Sequence, residues 1–530
     1  MVQYIHKMAQ KGRKTMILAK PQMITEIDKY ASEKLGIPTR ELMHRAGKAV
    51  ANAVRSLTAK GGKVSIFVGK GNNGGDGYAA ALLLKDEYDV TLYDVFGCGQ
   101  RSEEGKYFYE SVVSSGIDVN LLSFDSDTLA ELSKSDCVVD AVFGTGFVGE
   151  YPEEALKLAE FFNSLDGVFK VAVDVPLGVI ASDGSVDRRV AYHADVTVAL
   201  GFAKPGLVSY PAKEYVGKLI YDNIGLQNSA ILNNFEFSDY YIDYELATSF
   251  IPKRLQNSNK GSFGKLLMIT GSSEFLGAAH LSLEASLRSG VGLVTYLGEE
   301  ELIPSLSAKF PEAIYKPLSL KNINHSDLGF VTDLADKHTA ILIGSGSSKS
   351  QGLLLVLEHL LSTDGAPIIL DADAINVLAE NSIEGRELIQ RAKRKVILTP
   401  HPLEFSRLSG VSVNDVQNNR IGYAKAFARE NNCMLILKGA ATVVTDGHNT
   451  YINSSGSSAL AKAGSGDVLA GMLASVIASG TEPLYAAALS VYFHGYAADV
   501  LADEFSELGV TPSDLPREIG RQLAKATRNK

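Results

Sequence analysis

Cysteine is scarce, long apolar runs are missing and neither sign of charge dominates, and each shortage removes a class of protein. The 530 residues hold three cysteines, Cys98, Cys137 and Cys433, far apart and without a C-x-x-C pair. Neither a disulfide framework nor a cysteine zinc site can be built from them, and a reducing, cytoplasmic setting is expected. The longest apolar runs, such as Val138 to Phe143 and Met434 to Leu437, fall far short of the roughly 18 residues a spanning helix needs. Fifty-one Lys and Arg against 61 Asp and Glu leave a formal charge of −10, which draws the whole chain toward neither nucleic acid nor an anionic membrane. Small polar or anionic ligands must therefore find local sites. There is no short-period repeat and no low-complexity tract. Residues 1–19 are expected to form a disordered leader, since Lys7, Lys11, Arg13 and Lys14 precede no apolar stretch of a signal peptide.

What remains is an ordinary globular composition, 45% hydrophobic and 21% charged, in a chain too long for one core. Amphipathic helical patterns cover Gln22 to Leu35 and Glu41 to Leu57. Short Val/Ile-rich runs then alternate with helical stretches: Lys63 to Val68, Val90 to Phe96, Asp136 to Phe143, Val168 to Val175 and Asp195 to Leu200. Such alternation specifies a parallel sheet. The rhythm lapses in the Asn-rich and aromatic-acidic sequence around Asn223 to Asn259. It resumes with Lys265 to Ile269, Val291 to Leu297, Ala340 to Ile343, Pro367 to Leu370, Lys395 to Leu398 and Cys433 to Leu437, and ends in three helical patterns. Two tandem α/β domains are expected, residues 20–235 and 236–530. Domains of this kind commonly self-associate, so a homo-oligomer is expected.

The chemistry gathers at strand ends. After Lys63 to Val68 comes Gly69-Lys70-Gly71-Asn72-Asn73-Gly74-Gly75-Asp76-Gly77, with a helix expected from Tyr78. Gly69, Gly71 and Gly74 satisfy G-x-G-x-x-G, and Asp94 closes the next strand, as in a dinucleotide fingerprint. Asn72, Asn73 and Asp76 are more polar than that fingerprint requires, and suit ribose hydroxyls or a monovalent cation as well as phosphate. A tight turn needing glycine for positive φ would explain the glycines alone. Asp140, followed by Gly144 to Gly149, and Asp174, before Val175-Pro176-Leu177-Gly178, end two further strands and should converge on the same cleft.

In the second half, Gly464-Ser465-Gly466-Asp467 opens a helical pattern, where backbone N–H groups can meet a phosphate and the carboxylate can take a proton from an attacking hydroxyl. Lys438 to Val444, Thr399 to Glu404, Ile369 to Ala374 and Ile343 to Gly346 follow neighbouring strands. His401 and Glu404 have the i, i+3 spacing of a metal pair, but no third His or Cys accompanies them, so a substrate contact is favoured over zinc.

Leu42 to Gly47, the Asn72 to Gly77 loop, Val139-Asp140-Ala141, Val173-Asp174-Val175-Pro176 and Lys204-Pro205-Gly206 together resemble the NAD(P)H-hydrate epimerase domain over residues 20 to 230. The resemblance implies that Asn72, Asn73, Gly74, Gly75 and Asp76, with Gly144, Thr145, Gly146, Phe147, Val148, Gly149 and Glu150, hold the hydrated dinucleotide. It also implies that Asp174 binds it and serves the reaction, and that potassium sits at Asn73, Asp140 and position 177. His44 stands where the family has an acidic residue, and Leu177 where it has Ser.

Lys260 to Gly264, Gly277-Ala278-Ala279, Thr399 to Phe405, Lys438 to Val444 and Gly464 to Asp467 are similar to the ADP-dependent NAD(P)H-hydrate dehydratase, a ribokinase-like α/β fold, over residues 245 to 525. That resemblance implies hydrate contacts from Ala278, Gly346, His401 and Asp467. It places the nucleotide on Lys438, Gly439, Ala440, Ala441, Thr442 and Gly466, makes Asp467 the base and brings Mg2+ to the phosphates. Ser457 and Lys462-Ala463 depart from the family's Asn and Thr-Gly. Together the halves imply one repair activity. The N-terminal Rossmann-like domain, its parallel sheet covered by helices on both faces, interconverts the R and S epimers of hydrated NADH or NADPH. The C-terminal domain dehydrates the S form with ADP, giving AMP and phosphate. The alternative is a ribokinase-like small-molecule kinase with a non-catalytic dinucleotide-binding N-terminal domain.

Overall fold

The protein is described by a computed structural model covering residues 16–97, 101–147, 150–187, 191–380 and 382–528. The chain divides into two compact units between Asp239 and Tyr240, a few residues past the division expected at 235. Residues 1–15 of the expected leader lie outside the described residues. Its last residues do not belong to a leader: Ile17, Leu18 and Ala19 are buried, and the Ala19 N–H donates to the Ala203 carbonyl at 2.9 Å. An apolar stretch this short has no periodicity to reveal its burial.

The N-terminal unit is built on an all-parallel sheet whose successive strands begin at Asp118, Asp89, Lys63, Cys137, Phe169, Val196 and Lys218. The central strands are largely apolar and almost wholly buried, as covering on both faces requires. The edge strands Asp118–Leu121 and Lys218–Asp222 escaped the sequence reading because half-exposed, charge-bearing segments carry a weak strand signal. Strand order reverses between Lys63–Val68 and Cys137–Ala141. A doubly wound sheet opens its ligand crevice at such a point.

The glycine loop differs from expectation. The helix begins at Asn72 rather than after Gly77, so Asn72–Leu84 swallows most of the loop. Gly69, Gly71, Gly74, Gly75 and Gly77 are all absent from the positive-φ residues, so turn geometry does not demand them; close approach does at Gly69, Gly74, Gly75 and Gly77, while a Cβ on Gly71 would meet open space. A Cβ on Gly69 would stand 2.0 Å from the Val142 carbonyl oxygen, and one on Gly74 2.1 Å from that of Gly69. Gly77 would overlap Ala141 and Val68, and Gly47 on helix Thr39–Leu57 would overlap Ala79. The low helix propensity of glycine suggested a loop; tertiary packing overrode it.

In the C-terminal unit, parallel strands beginning at Met434, Val396, Ile368, Ala340, Lys265, Leu293 and Ile314 lie side by side. The mixed character was not anticipated: Val443–Thr445 and Thr450–Asn453 add antiparallel strands beyond Met434–Leu437. The segment after Lys438 is thus a hairpin turn. Helices Leu276–Arg288, Ser465–Ala478 and Leu515–Arg528 pack together on this unit.

Candidate functional sites

A cavity of about 720 Å³ opens at the carboxyl end of the N-terminal sheet. Asn72, Asn73, Asp76, Gly144, Thr145, Gly146, Phe147 and Asp174 line it, as do Asp28, Lys70 and Lys204. The Asn73 side chain donates to the Phe143 carbonyl at 2.9 Å, tying the helix start to the neighbouring strand end. Other expected residues take different places. Gly74 and Gly75 are buried packing residues, Glu150 is exposed and does not line the cavity, and Val148 and Gly149 lie outside the described residues. His44 is exposed and stands apart from this cavity, so its departure from the family's acid leaves the lining unchanged.

Asp174 closes strand Phe169–Val173 in the left-handed region, φ 66, a conformation that costs a non-glycine residue energy and concentrates at functional sites. Its Oδ1 accepts from the buried Lys204 ammonium and from the Leu200 N–H at 3.2 Å. Lys204 also donates to the Leu200 carbonyl at 2.9 Å. Two more carboxyls face this pair. Burial pushes Asp76 well above the usual carboxylate range, helped by Asp174 and Asp28 and opposed by Lys204. Burial raises Asp28 to about 6, against the pull of Lys204 and with the push of Asp174. Sequence reading noted Lys204 within a motif and missed Asp28, a lone Asp inside an amphipathic helix. Asp94 turns away from a ribose role by pairing with Arg101.

The three residues expected to hold potassium lie in different surroundings. Asp140 is fully buried, its Oδ1 accepting from the Val142 N–H at 3.1 Å and its Oδ2 from the Leu177 N–H at 2.9 Å. Burial lifts it to about 7 against those two bonds. Leu177 packs its side chain into the apolar core, and its carbonyl accepts from the Tyr192 N–H. Of the three residues only Asn73 lines the cavity.

The C-terminal site forms around Lys438. Its ammonium lies 2.9 Å from Asp371 Oδ1 and 4.0 Å from Glu404 Oε2. A Cβ on Gly466 would stand 3.4 Å from it. Burial alone would lower the Lys438 pKa, but Asp371 and Glu404 raise it on balance, so it stays charged. Asp371, which the sequence placed only within a strand-end run, is fixed by the Thr399 hydroxyl at 2.6 Å and the Ser345 hydroxyl at 2.9 Å. Asp467 lies in the first turn of helix Ser465–Ala478, raised to about 7 by burial and by Asp371, with Lys438 opposing. Gly464 takes φ 101 to make the turn, and the buried His494 Nε2 meets the Ser465 carbonyl at 3.0 Å.

His401 and Glu404 form a helix cap, not a metal pair. His401 Nδ1 accepts from the Leu403 and Glu404 N–H groups at 3.2 Å each, and Glu404 accepts the His401 N–H at 2.8 Å. Burial, Lys438 and Arg407 lower the His401 pKa, so the ring is neutral. Ala278 and Gly346 pack together across the strand-order reversal, a Cβ on Gly346 falling 2.5 Å from that of Ala278. Gly439, at φ 135, and Ala440 are exposed at the hairpin turn, Ala441 is buried there at φ 51, and Thr442 closes it onto the Gly439 carbonyl at 2.9 Å. Lys462 reaches the Leu508 carbonyl at 2.7 Å, fastening the end of helix Pro483–Gly509. Among the described residues no cluster of three His, Cys, Asp or Glu is placed to hold a metal, and no helix is long and apolar enough to cross a membrane.

Two α/β units, one with a carboxylate-lined crevice and one with a lysine and an aspartate at a glycine-turn helix start, define a two-site enzyme of nucleotide chemistry. Residues 39–206 match the family described as YjeF-related protein N-terminus, and residues 266–521 match NAD(P)H-hydrate dehydratase. The bifunctional NAD(P)H-hydrate repair enzyme Nnr of Thermofilum pendens is 32% identical across 96% of both chains. That of Coxiella burnetii is 32% identical across 94% of this chain and 98% of its own. The ADP/ATP-dependent NAD(P)H-hydrate dehydratase of Bacillus subtilis, co-crystallised with ATP and Mg2+, is 32% identical, covers 54% of this chain and 98% of its own, and superposes with a TM-score of 0.48. The chain belongs to the bifunctional NAD(P)H-hydrate repair enzyme family.

Proposed function

We propose that the protein restores hydrated NADH and NADPH, the N-terminal unit interconverting the R and S epimers and the C-terminal unit dehydrating the S form with ADP. The observation that carries this reading is the meeting of Lys438, Asp467 and the Gly464–Gly466 turn at one helix start. Asp467 takes the proton of the substrate hydroxyl as it attacks the terminal phosphate of ADP, while Lys438 and the helix N–H groups receive the charge on the transferring phosphoryl group. AMP departs. The phosphate ester then breaks its carbon–oxygen bond with the push of the ring nitrogen, the neighbouring carbon gives up a proton, and the NAD(P)H double bond reforms. Bound with the nucleotide, Mg2+ would neutralise charge on its phosphates.

In the N-terminal unit, loss of the hydroxyl gives a nitrogen-stabilised cation, and water returning to the other face gives the other epimer. Asp174, oriented by Lys204 and Leu200, handles a proton of that exchange. The test is recovery of NADH absorbance from a mixture of both hydrate epimers with ADP and magnesium. Complete conversion is expected. A plateau with only the S form consumed would leave the N-terminal unit a binding role, and a stable phosphorylated product would make the protein a kinase.

A further inference from the structure

Epimerisation through a ring cation has a proton requirement that one carboxylate meets poorly. A proton must reach the departing hydroxyl on one face of the ring, and another must leave the water arriving on the opposite face. Resting on the epimerase reading above, the N-terminal cavity holds the groups for both. Asp174 is committed, its Oδ1 shared between the Lys204 ammonium and the Leu200 N–H. Asp28 faces the same cavity from helix Pro21–Leu35, flanked there by Ile24, Thr25, Lys29 and Ser32, which also line it. Burial and the charges of Lys204 and Asp174 set its state, and among the described residues none is seen donating a hydrogen bond to its carboxyl.

We propose that Asp28 is the second catalytic carboxylate of this site, giving its proton to the departing hydroxyl while Asp174 takes the proton of the incoming water. In the forward turn the Asp28 acid protonates the hydroxyl, the carbon–oxygen bond breaks with its electron pair leaving on water, and the nitrogen lone pair stabilises the ring cation. Water then adds to the opposite face and loses one proton to the Asp174 carboxylate. One water is released and one consumed, so the substrate gains and loses nothing. The two carboxyls have exchanged protonation states. The reverse reaction resets them, as does proton exchange with solvent at the cavity mouth, where exposed Lys29, Glu33 and Lys70 stand.

The environments support the division of labour. Carboxyls in unlike surroundings take opposite acid and base roles, and here Asp174 is ion-paired with Lys204 while Asp28 is desolvated beside like charge. The charged groups facing Asp28 are Lys204, Asp174 and Asp76. Burial, with Asp174 and Asp28, pushes Asp76 well above the usual carboxylate range. Asp28, at about 6, is the one poised to exchange.

The experiment follows conversion of the purified R epimer to S by proton NMR, without ADP, in the full-length protein and in Asp28→Asn and Asp28→Glu, with the enzyme-free rate subtracted. The expected result is a loss in kcat of about a hundredfold or more for Asp28→Asn, KM within about threefold, and partial recovery in Asp28→Glu. The wild-type rate should fall as pH rises past about 6, and that limb should vanish in Asp28→Asn. ADP-dependent consumption of the pure S epimer checks that the variant proteins are intact. An Asp28→Asn enzyme within about threefold of wild type, or one in which only KM rises, overturns the proposal while leaving the epimerase standing. A wild-type protein that never converts the R form overturns both.

Discussion

Lys438 and Asp371 form a buried ion pair, 2.9 Å apart, beneath the glycine turn that opens helix Ser465–Ala478. The carboxylate is the anchor: Thr399 and Ser345 hold it, and it holds the ammonium where a phosphoryl group would meet Gly466. Removing one partner of a buried pair leaves an uncompensated charge, at a cost of about 3–5 kcal/mol. Lys438→Met is therefore expected to lower the unfolding temperature of the C-terminal unit, read by calorimetry, and to abolish dehydration. Unchanged stability would show that the pair is not buried in solution.

Gly466→Ala is the milder probe of the same place. Its Cβ would stand 3.4 Å from the Lys438 ammonium, and Gly466 is not a positive-φ residue, so the fold should hold while the phosphate seat narrows. We expect the KM for ADP to rise about tenfold, roughly 1.4 kcal/mol of binding, with thermal stability altered by less than about 1 kcal/mol. A normal KM would place the phosphates elsewhere.

Asp467 carries opposite signs for activity and stability. As a base raised to about 7 it works only when ionised, so dehydration kcat/KM should rise with pH and level off above that value. Its folded-state pKa exceeds the unfolded value of about 3.9. The stability it lends is thus full below that pH and lost as pH rises through about 7. Asp467→Asn should be inactive, and at pH 8 more stable than wild type by an amount of order 1–4 kcal/mol, a gain that disappears toward pH 4. Thermal melts across pH would decide it. A variant destabilised at every pH contradicts the desolvated carboxylate.

Asp140 is expected to matter as a structural acceptor. Its oxygens satisfy the Val142 and Leu177 N–H groups, and Asp140→Ala would leave those donors unpartnered in the core, at about 1–3 kcal/mol each. Replacing potassium with tetramethylammonium at constant ionic strength should change the epimerisation rate by less than about twofold, because Asp140 is buried away from the cavity lining with each oxygen bonded to a backbone amide, and Leu177 turns an apolar side chain into the core. A rate that collapses without potassium would show that these groups rearrange around it.

Gly47 and Ala79 mark the closest crossing of two helices, where a Cβ on Gly47 would lie 2.6 Å from that of Ala79. Gly47→Val should destabilise the N-terminal unit by about 1–3 kcal/mol through overpacking. It should lower epimerisation through displacement of Met43 and Ala46, which line the cavity. A melt of the variant that matches wild type would show that the helices can separate without cost.

The alternation of apolar runs with helical stretches determined the two α/β units; Asp174 and Lys438 could be picked out as polar groups at the ends of apolar strands, and Asp467 by the glycine turn before its helix. Periodicity is a local property, so it survives in the sequence. What the sequence could not decide depends on contacts between distant segments. Asp28 looks like any solvent-facing residue of an amphipathic helix until the fold sets it beside Lys204 and Asp174. Gly74 and Gly75 resemble a ligand loop until packing draws them into a helix. Asp140 resembles a cation ligand until the fold buries it against the Val142 and Leu177 amides, away from the cavity lining. Burial, ion pairing and close approach arise only when the chain folds back on itself, and in this protein those three effects decide which strand-end residues are left free for chemistry.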